Sequence, residues 1–404
     1  MTVMAEPARV AQQRIGATAR IARWAAIAAA GLLAACSTIV PRGPVERVER
    51  PAPVQDRPET VEAGIPRDTA RNRVALLVPL SGINAGVGQS IANATMLAVL
   101  DTGTDKVRIT NYDTAGGAAA AARRAIAEGA QLILGPLLAE DVRAVAPIAR
   151  AAGVPVLSFS NDSSVAGNGA YLMGYAPAQS IERVVGFARG RGVSTFAAVV
   201  PNGVYGERAS TAFLRAVESA GGQVVSLQTY GRVAGGVSGA VSRLAAKAPY
   251  DAVLIADNSA TAATAVPLIR RGGGGATRVL GTELWNTESG VSARPALNGA
   301  WFASVSNTLY RQYATKYRAR FGASPYRLSS LGYDAVLLTV RIARDWPVGR
   351  PFPEAKLRGA EGFAGLDGAF RFGRDGIAER ALEVQEVRGG TTVTVSPAPT
   401  GFGG

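Results

Sequence analysis

The chain has 404 residues, 48% of them hydrophobic, and a formal net charge of +13; that length exceeds one ordinary core and points to two lobes. It contains no histidine and a single cysteine, Cys36, which excludes a Ser-His-Asp triad, a Cys-His pair, histidine-based metal sites and any internal disulfide. With Cys36 read below as an anchor, no catalytic residue, metal or cofactor is expected, and without a Lys/Arg block interleaved with aromatics no nucleic acid is expected as a partner.

In chain order, Arg9, Arg14, Arg20 and Arg23 precede an apolar run that starts at Trp24 and closes on Leu33-Ala34-Ala35-Cys36. A basic start, a short apolar stretch and small residues before a cut are the parts of a secretory signal. About a dozen apolar residues fall short of the roughly 20 that a spanning helix needs. The Leu-small-small-Cys ending resembles the lipobox of bacterial lipoproteins. That resemblance implies a signal peptide over residues 1–35 and a lipidated, palmitate-bearing Cys36; a buried cysteine after an ordinary signal is the alternative. Removing residues 1–35 leaves a net charge of about +10, a balance that favours anionic partners such as lipid headgroups. Residues 36–73 are rich in Pro, Arg and Glu and have no apolar period, so a disordered tether is expected. It would span roughly 30 Å as a coil and about 110 Å when extended.

Residues 74–79 form an apolar run closed by turn residues, the mark of a buried strand. Helical spacing over 89–100, a strand over 107–112, an alanine-rich helix over 118–128 and a strand over 132–134 follow. A helix over 139–151 and a strand over 154–159 complete a βαβαβαβ series, which calls for a parallel sheet covered by helices. A second series has helices over 178–189, 207–220, 239–246 and 261–271, with strands over 197–200, 223–227, 252–256, 279–280 and 301–305. Two helical stretches, 309–321 and 328–344, have no strand between them and are expected to return to the first lobe. The tail over 362–396 alternates with period two, as in Gly368-Ala369-Phe370-Arg371-Phe372. The glycines Gly82, Gly86 and Gly88 lack the GxGxxG spacing and a Walker lysine, so they are read as a plain loop.

Several segments fall in the order and spacing of a known class: Val74-Ala75-Leu76-Leu77-Val78-Pro79-Leu80-Ser81-Gly82, Leu134-Gly135-Pro136-Leu137, Gly153-Val154-Pro155-Val156, Tyr205-Gly206 and Leu331-Gly332-Tyr333-Asp334-Ala335. From residue 74 to 396 the chain resembles the type I periplasmic binding fold of the leucine/isoleucine/valine-binding proteins. Within that class, Phe159-Ser160-Asn161-Asp162, Ala166-Gly167 and Gly281-Thr282-Glu283-Leu284-Trp285 resemble the penicillin-binding-protein activator lipoproteins. The resemblance implies a two-lobed α/β fold, each lobe a mostly parallel sheet flanked by helices. The expected division puts residues 74–177 and 306–361 in lobe 1, 178–305 and 362–396 in lobe 2, and 397–404 in a flexible tail.

Ligands of such sheets bind beyond the carboxyl ends of strands, so the candidate cleft residues are Ser158, Ser160, Asn161, Asp162, Tyr205, Asp257 and Glu283. The resemblance implies that Glu283 stands where the amino-acid binders carry their ammonium-binding acid and that Tyr205 contributes from the facing lobe. Asp257 is expected to share that space with Glu283 and, with it, to favour a cation. Bland readings stay open. Glu283 also suits a turn or a pairing across the cleft, Tyr-Gly is an ordinary packing device, and Ser158 and Ser160 suit local backbone at a strand end. Two departures bear on ligand choice: Ala139 replaces the serine expected after the Gly-Pro turn, and an ionised Asp162 would repel a carboxylate. Arg311, Lys316, Arg318, Arg320 and Arg327 read as a solvated basic face or a docking surface, and Trp285 and Trp301 as wall packing.

Two functions follow from the resemblance. One is a non-enzymatic lipoprotein that activates a cell-wall synthase, anchored by its lipid in the outer membrane of a Gram-negative cell; Ser37, where aspartate would mark inner-membrane retention, supports it. The other is the solute-binding lipoprotein of an ABC importer, with a small amino acid or amide in the cleft.

Overall fold

The computed structural model describes residues 70–286 and 290–402. The expected signal peptide, Cys36 and most of the tether expected over 36–73 lie outside the described residues; the last residues of that stretch, from Asn72, already belong to the first strand.

Lobe 1 is built from β1 (Asn72–Val78), α1 (Ala85–Thr102), β2 (Val107–Asp113), α2 (Ala118–Ala127), β3 (Leu132–Leu134), α3 (Ala139–Ala151), β4 (Val156–Ser158) and β5 (Ala170–Leu172). Its parallel sheet has the order β2-β1-β3-β4-β5. The alternation of a strand explains the apolar run of β1. Val74, Leu76 and Val78 face a core with α1, while Ala75 and Leu77 face α2 and α3. The short β5 was not legible in the sequence; it extends the sheet beyond β4, and Leu172 then bridges to Ile377.

Lobe 2 contains α4 (Pro177–Gly190), β6 (Thr195–Pro201), α5 (Val204–Ser219), β7 (Gln223–Tyr230), α6 (Gly236–Ala245), β8 (Ala252–Ile255), α7 (Ser259–Arg271), β9 (Arg278–Gly281) and β10 (Trp301–Ser304). Phe196, Ala198 and Val200 of β6 pack on α4 and α5, and Ala197 and Val199 pack on α6 and α7. The chain then returns to lobe 1, where α8 (Thr308–Phe321) and α9 (Ser329–Ala343) cover the α1 face through Tyr313, Tyr317, Leu331 and Val336.

The tail divides where the sequence reading kept it whole in lobe 2. The strands β11 (Phe363–Gly365), β12 (Gly368–Phe372) and β13 (Ala378–Arg380) form a small antiparallel sheet, and their Phe363, Phe370 and Phe372 sink into the lobe 1 core. Only β14 (Glu383–Arg388) and β15 (Thr391–Ser396) join lobe 2, giving the order β15-β14-β10-β9-β8-β6-β7 with an antiparallel edge. Period two says which side of a strand is apolar and not which core receives it, so the tail's allegiance was invisible locally. The chain crosses between lobes after β5, after β10 and after β13, which brings Tyr175, Val305 and Leu382 together.

Arg327 departs from the expected basic face. Arg311, Lys316, Arg318 and Arg320 on α8 are exposed, whereas Arg327 is only 6% exposed. Trp285 and Trp301 pack into the two cores of lobe 2.

Candidate functional site

The lobe 2 half of the site rests on two close approaches. At Gly206 a Cβ would lie 1.6 Å from the Pro201 carbonyl oxygen, so only glycine lets α5 start against the end of β6 and hold Tyr205 in place. At Gly281 a Cβ would strike the Trp285 ring at 2.3 Å, and that ring seats the 3-10 turn over Glu283–Asn286, its indole donating to the Asp257 carbonyl at 2.9 Å. Glu283 is thereby buried, 5% exposed. One carboxylate oxygen accepts from Tyr205 Oη at 3.0 Å and the other from the Ser180 hydroxyl. Tyr205 also lies 3.0 Å from the Thr282 hydroxyl. Glu283 forms no ion pair among the described residues, and burial lifts its carboxyl above the ordinary value despite the hydroxyls of Ser180 and Tyr205. Burial and the Glu283 charge together push the Tyr205 phenol well up.

The lobe 1 half is spent on its own backbone and on a tie to lobe 2. Ser158 donates to the Pro136 carbonyl at 2.9 Å and accepts from the Ser160 N–H at 3.0 Å. Ser160 in turn accepts from the Asp162 N–H at 3.2 Å. Both hydroxyls thus close the turn after β4, the local role open to serines at strand ends. Asp162 pairs with Arg208 of α5 at 2.5 Å and with Arg143 of α3 at 3.0 Å, and accepts from the Ser164 N–H at 2.9 Å. Burial opposes its charge, but Ser164 and the two guanidiniums prevail and hold the carboxyl below its usual range. Because Arg208 also donates to Ser163 at 2.5 Å, this cluster ties lobe 2 to lobe 1. Asn161 is exposed and, with Asp162 and Arg208, lines an open groove of about 690 Å³ between the lobes.

Asp257 is taken up by partners other than Glu283. Its carboxylate accepts from the Tyr230 hydroxyl, from Arg232 at 3.0 Å and from the Asn258 N–H at 2.7 Å. Neighbouring strand ends of β8 and β9 put the two acids close in sequence logic, but Tyr230 at the end of β7 and Arg232 just beyond it claim Asp257.

That cavity, about 10 Å³ and lined by Tyr175, Gln179, Ser180, Glu283, Arg327 and Arg380 among others, has room for about one water. Arg327 pairs with Asp367 at 2.8 Å, beside Tyr175 and Ser330, which both donate to Asp367. Burial works against the Asp367 charge, yet Arg327 and Arg380 keep its carboxyl low; burial and Asp367 push nearby Asp334 up. Sequence reading missed Ser180, Arg327 and Arg380. For Arg380 a signal existed: period two in β13 places it on the inward side with Ala378. For Arg327, which precedes α9 by two residues, no local signal marks burial.

The model of the periplasmic binding protein family matches residues 72–391. A curated relative, an uncharacterised protein of Rickettsia prowazekii, is 25% identical over 139 residues, 34% of this chain and 37% of its own length; the chain thus spans little more than a third of that relative. Among solved structures, a protein of Rhodospirillum rubrum assigned to branched-chain amino acid ABC transport is 22% identical and superposes with a TM-score of 0.72 over 80% of this chain and 100% of its own. A leucine-binding protein of Thermotoga maritima is 21% identical, with a TM-score of 0.62 over 81% and 98%. These likenesses show the same two-lobed α/β architecture, with mostly parallel sheets flanked by helices. With the family match running from β1 into β15, the chain belongs to the periplasmic binding protein family.

Proposed function

We propose that this chain is a non-enzymatic periplasmic protein that takes a small solute between its lobes and serves an ABC importer as its binding component. One observation carries the reading: Glu283, buried at the inter-lobe cavity, has hydroxyl partners and forms no ion pair among the described residues. A ligand ammonium supplies the missing charge, and a buried carboxylate gains most from a partner that neutralises it. The solved relatives named above are called leucine-binding and branched-chain amino acid transport proteins, in keeping with an amino-acid-like solute. Lipidation at Cys36 would hold the protein at a membrane.

The expected result in titration calorimetry of the full chain is saturable binding of an L-amino acid, weakened about 10- to 100-fold by Glu283→Gln, the loss of a charge-assisted contact. Binding that is indifferent to Glu283→Gln would sink the reading.

A second reading, the lipid-anchored activator of a cell-wall synthase, is favoured by a different observation: the Arg208–Asp162 pair spans the lobes and the cavity has room for about one water. Ser37 after the lipobox cysteine favours the outer membrane on this reading. Crosslinking in cells separates the two. A synthase recovered without a permease, from a protein that binds no solute, would establish the activator.

A further inference from the structure

Arg327 and Arg380 are 6% and 7% exposed, and each keeps two guanidinium nitrogens without a hydrogen-bond acceptor: Nε and Nη2 of Arg327, Nε and Nη1 of Arg380. These nitrogens of Arg327 are left over beside its pair with Asp367 at 2.8 Å; Arg380 makes no ion pair among the described residues, although its charge helps to hold Asp367 low. Among the described residues its side chain donates to the neutral Met173 carbonyl at 2.5 Å, and its guanidinium lies against Tyr175 and Phe370, 5.1 and 5.2 Å from their ring centroids. Buried donors left unsatisfied are costly, and both arginines line the cavity that Glu283 also lines. Acid and guanidiniums thus face one space, with the acid from lobe 2 and the arginines from the lobe 1 side, Arg327 before α9 and Arg380 at the end of β13.

Meanwhile, lobe 1 offers little to a ligand carboxylate at the turn after β4. Ser158 and Ser160 are committed to backbone, Asp162 is an anion, and Ala139 has no hydroxyl. We infer that Arg327 and Arg380 form the carboxylate-binding half of the site, so that an α-amino acid lies with its ammonium toward Glu283 and its carboxylate toward these two guanidiniums. Planar guanidinium forks suit a carboxylate. The inference rests on the solute-binding reading above and adds the orientation and zwitterionic class of the solute. Since the cavity has room for about one water as it stands and its walls come from both lobes and all three crossings, the solute enters as the lobes part.

The test uses calorimetry on the full chain with the twenty L-amino acids and, for the tightest, its amino alcohol, which keeps the ammonium and lacks the carboxylate. In the wild-type chain the alcohol is expected to bind about tenfold or more weaker than the acid. Arg380→Gln is expected to weaken the amino acid by a similar factor and leave the alcohol unchanged, with partial recovery in Arg380→Lys. Equal binding of acid and alcohol by the wild-type chain overturns the inference without need of any variant. So does a variant that weakens both alike, the sign of a structural role. If the amino acid binds and depends on Glu283 but not on Arg380, this orientation alone fails; if no amino acid binds at all, the solute-binding reading falls with it.

Discussion

Asp162 and Glu283 are buried acids, one in each lobe and each lining a different space between the lobes, and their surroundings set them to different tasks. Asp162, in lobe 1, has two arginines and a serine, and its carboxyl is held low. Glu283, in lobe 2, has only hydroxyls and its carboxyl is raised by burial. A charge already paired across the lobes works as a structural tie. A charge buried without a counter-ion is poised for one that arrives with a ligand. The two acids therefore teach that exposure and position are weaker guides to a binding role than the sign and number of existing partners.

The comparison breaks first at Arg208. Arg208→Gln removes the charged partner that ties Asp162 to α5 and is expected to lower stability by about 1–3 kcal/mol in urea unfolding. It should also increase the radius of gyration in small-angle scattering. An unchanged scattering curve would mean that the pair does not hold the lobes together.

The pH dependence sharpens the contrast, with opposite signs. Asp162, held below its ordinary value, contributes stability that is present above about pH 4 and lost as pH falls through its folded value. Glu283, held above its ordinary value, contributes stability that is complete below about pH 4.5 and lost as pH rises through its folded value. Urea midpoints measured from pH 3 to 8 should show a shallower acid-side loss in Asp162→Asn and a shallower decline above pH 4.5 in Glu283→Gln. Identical profiles in both variants would erase the distinction between the two acids.

The smallest effect is expected at Ser180, whose hydroxyl reaches Glu283 from the first turn of α4. Ser180→Ala should cost about 0.5–1.5 kcal/mol at neutral pH by thermal unfolding. A change of no more than measurement error would leave Tyr205 as the hydroxyl that matters to Glu283.

Much of the site was legible in the residues. Glu283 follows Gly281-Thr282 at the end of β9, and Tyr205 opens α5 beside Gly206, so short-range geometry alone carries both to the cleft end of the lobe 2 sheet. Ser158 and Ser160 were legible as turn formers for the same reason. The partners of Asp257 were not legible because Tyr230 ends β7 and Arg232 lies just beyond it at the edge of the sheet, and strand order is not a local property. Arg327 and Arg380 were missed because arginine is buried only where distant groups take it up. Asp367, Met173 and Tyr175 do so here, from other elements 40 to more than 200 residues away.

Periodicity and turn residues by themselves determined the alternating strands and helices, the two-lobed fold and the return of α8 and α9 to lobe 1. They did so because hydrophobic period and backbone preference are local, and alternating βα units have few ways to bury their apolar faces. Only the tertiary structure decided how the tail divides between lobes, that Asp162 ties them, and that two arginines share a cavity with Glu283. Those outcomes depend on which side chains meet across the hinge, and a charge acquires its role from the partners the fold brings to it.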